Sequence, residues 1–269
     1  MFHFNVIRAL TTRYILLYAK NPVRAFELFF WPLVQLLVWG FLTKYLQTQG
    51  AATTSTFPKE ITFLIGGIVL WDALFRAQQG VSISFLEDIW TRNLLNIFAA
   101  PVKMTDYVAA TFVVGTLRVL VTGIMLWLIS IFAYSFNLLS LNWGLIAYYG
   151  NLLLFGWALG IISIALILRW GHGAESLAWA LPFMVQPIAC VFYPVSALPG
   201  NIQWLALIFP PAHVFEGMRN SIKTGYFDAP HFWAALGLNA LYLTASGLLL
   251  LYVLRLARER GLLVKATAS

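Results

Sequence analysis

Asp72, Arg76 and Arg118 are charged residues set inside long apolar stretches. Asp72 and Arg76 stand four positions apart, which puts them on one face of a helix, where they can neutralise each other. The chemistry open to this trio is electrostatic: lining or gating a path for a solute, or forming a structural ion pair between neighbouring helices. An unpaired charge in hydrocarbon costs about 3 kcal/mol or more, so all three should face protein or a water-filled pathway. Other chemistry lacks its residues. His3, His172, His213 and His231 are scattered over separate segments and do not form a zinc spacing. Cys190 is the single cysteine and cannot form an intrachain disulfide. No G-x-x-x-x-G-K-[ST] loop, H-E-x-x-H pair or nucleophile elbow is present. The chain therefore reads as non-enzymatic, with no metal site and no cofactor of its own.

The elements that must position these charges follow from composition. The 269 residues are 61% hydrophobic and 10% charged, with a mean hydropathy of +0.80; soluble domains carry roughly 25% charged residues. Continuous apolar runs reach the ~20 residues that a helix needs to cross a bilayer, whereas a barrel would show alternating segments of about 10. The expected fold is an all-α membrane protein of six transmembrane helices, with an N-terminal interfacial helix and a re-entrant extracellular hairpin before the last span. Residues 1–25 form the interfacial segment, because Val6, Ile7, Leu10, Tyr14, Leu17 and Tyr18 recur at helical spacing among polar neighbours. Basic residues spread along it, with no short apolar region ending in a small-residue cleavage site, so no cleaved signal peptide is expected. The transmembrane domain covers 26–254, with spans at about 26–46, 61–86, 106–134, 143–168, 176–195 and 231–254. A polar linker is expected over 47–60, a short loop over 135–142 and a basic tail over 255–269. Prolines 199, 210 and 211 divide 196–230 into pieces too short to span, which predicts the hairpin.

Charge orients this arrangement. Arg8, Arg13, Lys20, Arg24, Arg92, Lys103, Arg169, Arg255, Arg258, Arg260 and Lys265 fall on one side of the six spans, against Lys44, Lys59, Arg219 and Lys223 on the other. The positive-inside rule then places both termini in the cytoplasm of a multi-pass protein of the cytoplasmic (inner) membrane. The basic residues cluster at span ends and form no stripe, so the net charge of +7 does not indicate nucleic acid.

Between the second and third spans, residues 87–101 form a segment closed by Pro101. Trp90, Leu94, Ile97 and Phe98 fall on one helical face, while Asp88, Arg92 and Asn96 fall on the other. Glu87 and Asp88 are expected at its helical N-terminus, where negative charge is favoured. Gly156 and Gly160 permit close helix contact, within the monomer or at a dimer seam. Trp31, Trp39, Trp71, Trp127, Trp157 and Trp179 are lipid-facing belt residues or stacking sites for sugar rings.

The run from Phe85 to Val102, acidic at its start and ending in Ala100-Pro101, resembles the segment that marks type-2 ABC-transporter permeases. Phe192-Tyr193-Pro194-Val195-Ser196-Ala197-Leu198-Pro199, with Trp204-Leu205 and Phe209-Pro210-Pro211 following, is similar to the F-x-P-x-S-x-L-P and later P-P signature of the same family. The resemblance implies a permease that dimerises with a second copy of itself and pairs with two copies of a cytoplasmic ABC ATPase, which carry the ATP and magnesium. It implies that Glu87, Asp88, Trp90, Arg92, Leu94, Ile97 and Phe98 take part in docking the ATPase. It implies that Pro194, Pro199, Trp204, Phe209 and Pro210 belong to an exit hairpin. A purely structural interfacial helix, and headgroup anchoring by the hairpin aromatics Trp204, Phe209 and Phe215, are the competing readings. The family exports drugs, lipids and lipid-linked or plain polysaccharides, and the scarcity of central polar residues favours an amphipathic, hydrophobic or lipid-linked substrate. An ion-coupled secondary transporter would want an internal repeat with midplane carboxylates, and a membrane-embedded transferase a cluster of His, Asp or Glu.

Overall fold

The computed structural model describes residues 3–50, 57–134 and 143–259. The expected linker 47–60, the loop 135–142 and the tail 255–269 thus lie partly or wholly outside the described residues. The described residues are mostly helical, with turns chiefly between 186 and 202, and contain no strand. Its helices are α1 (Phe4–Ala19), α2 (Pro22–Gly50), α3 (Phe57–Trp90), α4 (Leu94–Ala99), α5 (Met104–Tyr134), α6 (Trp143–Trp170), α7 (Glu175–Val185), α8 (Gln203–Leu207), α9 (Pro210–Thr224) and α10 (Ala229–Glu259).

Local chemistry sets several boundaries. The side-chain oxygen of Asn21 accepts from the backbone N–H of Val23 at 3.1 Å and of Arg24 at 3.3 Å. Two orphan donors of α2 are thereby satisfied, and Pro22 suits the first helical position because its missing N–H is not needed there. Pro210 and Pro211 start α9 in the same way, and Gly225, at φ 79°, ends it in the left-handed conformation that glycine adopts without steric cost. Asp228 accepts from the His231 N–H at 3.2 Å at the start of α10.

At the centre of the bundle, α3 packs against α6 and α5, and α6 also packs against α10. α3 is buried along almost its whole described length, including the polar residues Asp72, Arg76, Gln78, Gln79, Ser82, Ser84, Glu87 and Asp88. Small residues make this possible: a Cβ on Gly156 would come within 2.6 Å of both the Ala77 Cβ and the Leu74 carbonyl oxygen, and one on Gly160 within 2.5 Å of the Val81 Cβ. The glycine pair therefore seats α6 against α3 within the monomer. Across the other face of α6, Asn239 of α10 donates to the carbonyl and the side-chain oxygen of Asn151, at 3.0 and 2.9 Å. Asn239→Leu would leave that buried Asn151 side-chain oxygen without its donor. The expected cost is about 1–3 kcal/mol, read as a melting point lowered by several degrees in detergent; an unchanged melting point would mean that this bond does not hold α10 in place.

Among the described residues, four helices are long and apolar enough to cross a membrane: Pro22–Tyr45 of α2, Met104–Tyr134, Gly144–Trp170 and Ala229–Ala257. Most of α6 is buried, whereas α2 and α10 turn much of their surface outward, exposing residues such as Trp31, Val38, Leu241 and Leu251. Two of the six expected spans do not meet the same description. α3 is long enough, but it carries buried charge where a lipid-facing helix would carry only apolar residues. The segment expected over 176–195 is helical only as α7, Glu175–Val185, about 16 Å of rise. After Val185 the backbone turns, and Cys190 takes a positive φ of 55°.

Candidate functional site

α3 carries two charged stations. The first joins α1 to the end of α3. Asp88 is fully buried, yet it accepts from the hydroxyls of Tyr14 at 2.5 Å and Tyr107 at 2.7 Å and pairs with Arg13 at 2.6 Å. Burial, reinforced by the neighbouring carboxylate, pushes the Tyr14 hydroxyl far above the ordinary phenol range, which keeps it a proton donor. Glu87, one residue earlier, pairs with Arg24 of α2. His3 completes the latch by meeting Asp106 of α5 at 2.8 Å. Glu87 and Asp88 therefore occupy the last turn of α3, which corrects the expectation that they start a helix. Negative charge is disfavoured at a helix C-terminus, and the surrounding guanidinium and hydroxyl groups offset that penalty.

The segment 87–101 is not one continuous helix either. After Trp90 the chain turns through Arg92 at φ 52°, and α4 begins at Leu94. The face expected from continuous helical spacing is therefore divided. Leu94 and Ile97 are buried in a core with Phe85, Ile89 and Tyr107, and Phe98 packs on it. Trp90 is 44% exposed, Thr91, Arg92 and Asn96 are exposed beside it, and the Trp90 indole donates to Glu175 at 3.2 Å.

The second station lies nearer the middle of α3. Arg76 donates from Nε to Asp72 at 3.2 Å and from Nη1 to Gln79 at 3.2 Å, and Thr122 of α5 donates to the other oxygen of Asp72 at 2.9 Å. Asp72 and Arg76 thus pair as their spacing predicts. Arg118 does not join them: its guanidinium lies 4.2 Å from the centre of the Tyr18 ring, and its Nε and Nη2 have no hydrogen-bond partner among the described residues. Arg76 and Arg118 both line a cavity of about 580 Å³ between the α1–α2 pair and α3, α5 and α7. Trp31 of α2 and Trp179 of α7 line it too. The other four tryptophans considered above do not, and Trp39 stacks on Phe192, Trp157 on Phe112, while Trp71 is buried in the core.

The opposite end of α3 packs against α9, which in turn contacts α8. Lys223 of α9 lies over the ring of Phe63; at 1.5 Å per residue Phe63 and Glu87 are about 36 Å apart along the helix. Glu216 accepts from the Val195 N–H at 2.5 Å and pairs with Arg219 at 3.3 Å, and Arg219 donates to the Cys190 carbonyl at 2.9 Å. These two residues do more than pair with each other, since together they hold the turn after α7. Pro194 precedes the 3-10 turn Val195–Ala197, Pro199 follows it, and Pro210 is buried at the start of α9. Phe209 sits between Phe155 and Tyr242, and Phe215 is buried, so of the three hairpin aromatics only Trp204, 63% exposed, is free to anchor in headgroups. His213 and His231 approach to 5.7 Å between ring centres, closer than their separation in sequence suggested.

Spacing did not point to Arg13, Tyr14, Tyr18, Arg24 or Tyr107. The one available signal was the two tyrosine hydroxyls, Tyr14 and Tyr18, carried on the otherwise apolar stripe of α1.

Compared with known proteins, the chain matches the family model described as ABC-2 type transporter over residues 5–222. No curated protein matches it.

Proposed function

Because the chain belongs to the ABC-2 type transporter family, whose members are permeases and typically work with an ATPase subunit, we propose that it is the membrane subunit of an exporter. Its cargo is an amphipathic, hydrophobic or lipid-linked molecule, and two copies of the chain work with two copies of a separate cytoplasmic ATPase that carries ATP and magnesium. Six crossings are made by α2, α3, α5, α6, the α7 region and α10, with α8 and α9 as a re-entrant exit hairpin. Both termini face the cytoplasm at the inner membrane, in keeping with the distribution of basic residues.

The observation that carries this reading is the exposed turn after Trp90. It continues directly from α3, the helix that lines the cavity with Arg76 and closes the latch with Asp88. A push on that turn, as an ATPase dimer closes, is transmitted along the buried α3 and changes the cavity between α2, α5 and α7. The docking surface is made by Trp90, Arg92 and Asn96, while Leu94 and Ile97 keep the turn seated on the core.

Pull-down of the tagged chain from native membranes should recover an ATPase subunit, and a Trp90→Ala, Asn96→Ala double variant should lose most of it while melting at the same temperature. Leu94→Ala would be a poor probe, since emptying a buried leucine site costs about 2–5 kcal/mol of stability by itself. A wild-type chain that purifies without any ATPase would end the exporter reading.

A further inference from the structure

Resting on the transport reading, we infer that the cavity around Arg118 binds the anionic head of an amphiphile, a phosphate-bearing group whose aliphatic tail lies along the apolar wall. Arg118 is 7% exposed. Of the other cationic groups in the lining, Arg76 is paired with Asp72 and Arg24 with Glu87. Arg118 has neither a carboxylate partner nor a hydrogen bond for its Nε and Nη2 among the described residues. The remaining lining carboxylate, Glu27, is exposed on α2 and makes no ion pair with Arg118. A buried guanidinium held over Tyr18 keeps part of its donor fork unspent, and that fork matches the geometry of phosphate oxygens.

The rest of the cavity suits the remainder of such a molecule. Trp31, Phe75, Trp179 and Phe183 supply apolar wall, and Gln35 and Gln79 add neutral polar groups to the lining. Trp31, Trp179 and Phe183 are exposed in the single chain, so an alkyl tail placed there stays in contact with apolar surroundings. A free inorganic anion would use the guanidinium and leave that wall without a role, so both parts of the ligand are specified.

Binding is measured on the intact chain in nanodiscs of neutral lipid, from the quenching of tryptophan fluorescence. Decyl phosphate, decyl glucoside and inorganic phosphate serve as probes. Decyl phosphate should bind at least tenfold more tightly than either of the others, and Arg118→Leu should remove that preference while Arg118→Lys retains part of it. Leucine relieves a buried charge that has no partner, so the leucine variant should fold and melt no lower than the wild type. Equal affinity for decyl phosphate and decyl glucoside, or a preference unchanged in Arg118→Leu, would overturn the inference; if the same chain still recovers its ATPase, the transport reading stands without it. Equal affinity for inorganic phosphate and decyl phosphate would overturn the amphiphile assignment.

Discussion

Asp88→Ala is expected to release α1 from the bundle. The substitution removes the acceptor for Tyr14 and Tyr107 and the partner of Arg13 in one step. Breaking a buried charge pair from one side costs about 3–5 kcal/mol. Arg13 retains 29% exposure and recovers part of its hydration, so the lower half of that range applies. The apolar contacts of Leu10, Val6 and Ile7 remain, so the core should survive while the first helix becomes sensitive to protease near Asn21. Asp88→Asn keeps the shape and one acceptor oxygen, and should fall between alanine and wild type. If α1 stays as protease-resistant in Asp88→Ala as in the wild type, apolar packing alone holds it and the ionic latch contributes little. If α1 is released, ATP hydrolysis by the recovered complex should also lose its response to substrate, since α1 carries the Tyr18 ring that covers Arg118.

Gly156→Leu should prevent α3 and α6 from meeting. A single Cβ already falls within 2.6 Å of the Ala77 Cβ and the Leu74 carbonyl oxygen, and these belong to the backbone and to a side chain that cannot rotate away. Leucine adds three further carbons. Overpacking of this kind costs about 1–3 kcal/mol where neighbours can shift, and more here because the obstacle is a helix backbone. Loss of monodisperse protein on size-exclusion chromatography is the expected readout. Gly150→Leu, on the same helix with nothing within 4 Å of its Cβ, should express and migrate normally. A Gly156→Leu chain that behaves like Gly150→Leu would show that the two helices pack differently from the arrangement described above.

Composition and apolar runs made the all-helical membrane fold legible, because a chain with so little charge has to bury or embed nearly everything it makes. The Asp72–Arg76 pair was equally legible, since both residues lie on one helix and fixed spacing determines their contact. Arg118 lies on another helix, and the rotation of α5 against α3 depends on Gly80 and Gly115 letting the backbones approach. Nothing in the spacing of single residues encodes that rotation, so its separation from Asp72 could not be read. The break at Arg92 was hidden for a different reason. Arginine is a good helix former, and an uninterrupted helical pattern is the natural reading of Trp90, Leu94, Ile97 and Phe98. The end of α7 had visible signals in Pro182 and Pro187, but apolar residues continuing to Val195 outweighed them. The Asp88 network joins residues 74 and 19 positions away, and its tyrosines looked like ordinary members of apolar faces.

The latch on α1 also dictates an order of events during synthesis. Asp106, the partner of His3, is made 103 residues later, and Asp88, the partner of Tyr14, 74 residues later. At roughly 5–20 residues per second, the first helix waits on the order of 5–20 s before both partners exist. Through that interval Arg13 lacks the carboxylate it meets in the folded chain, and the apolar stripe of α1 lacks the α3 and α5 surfaces it packs on. The first helix to be translated is therefore not the first to dock, since its polar partners come with the end of α3 and the start of α5.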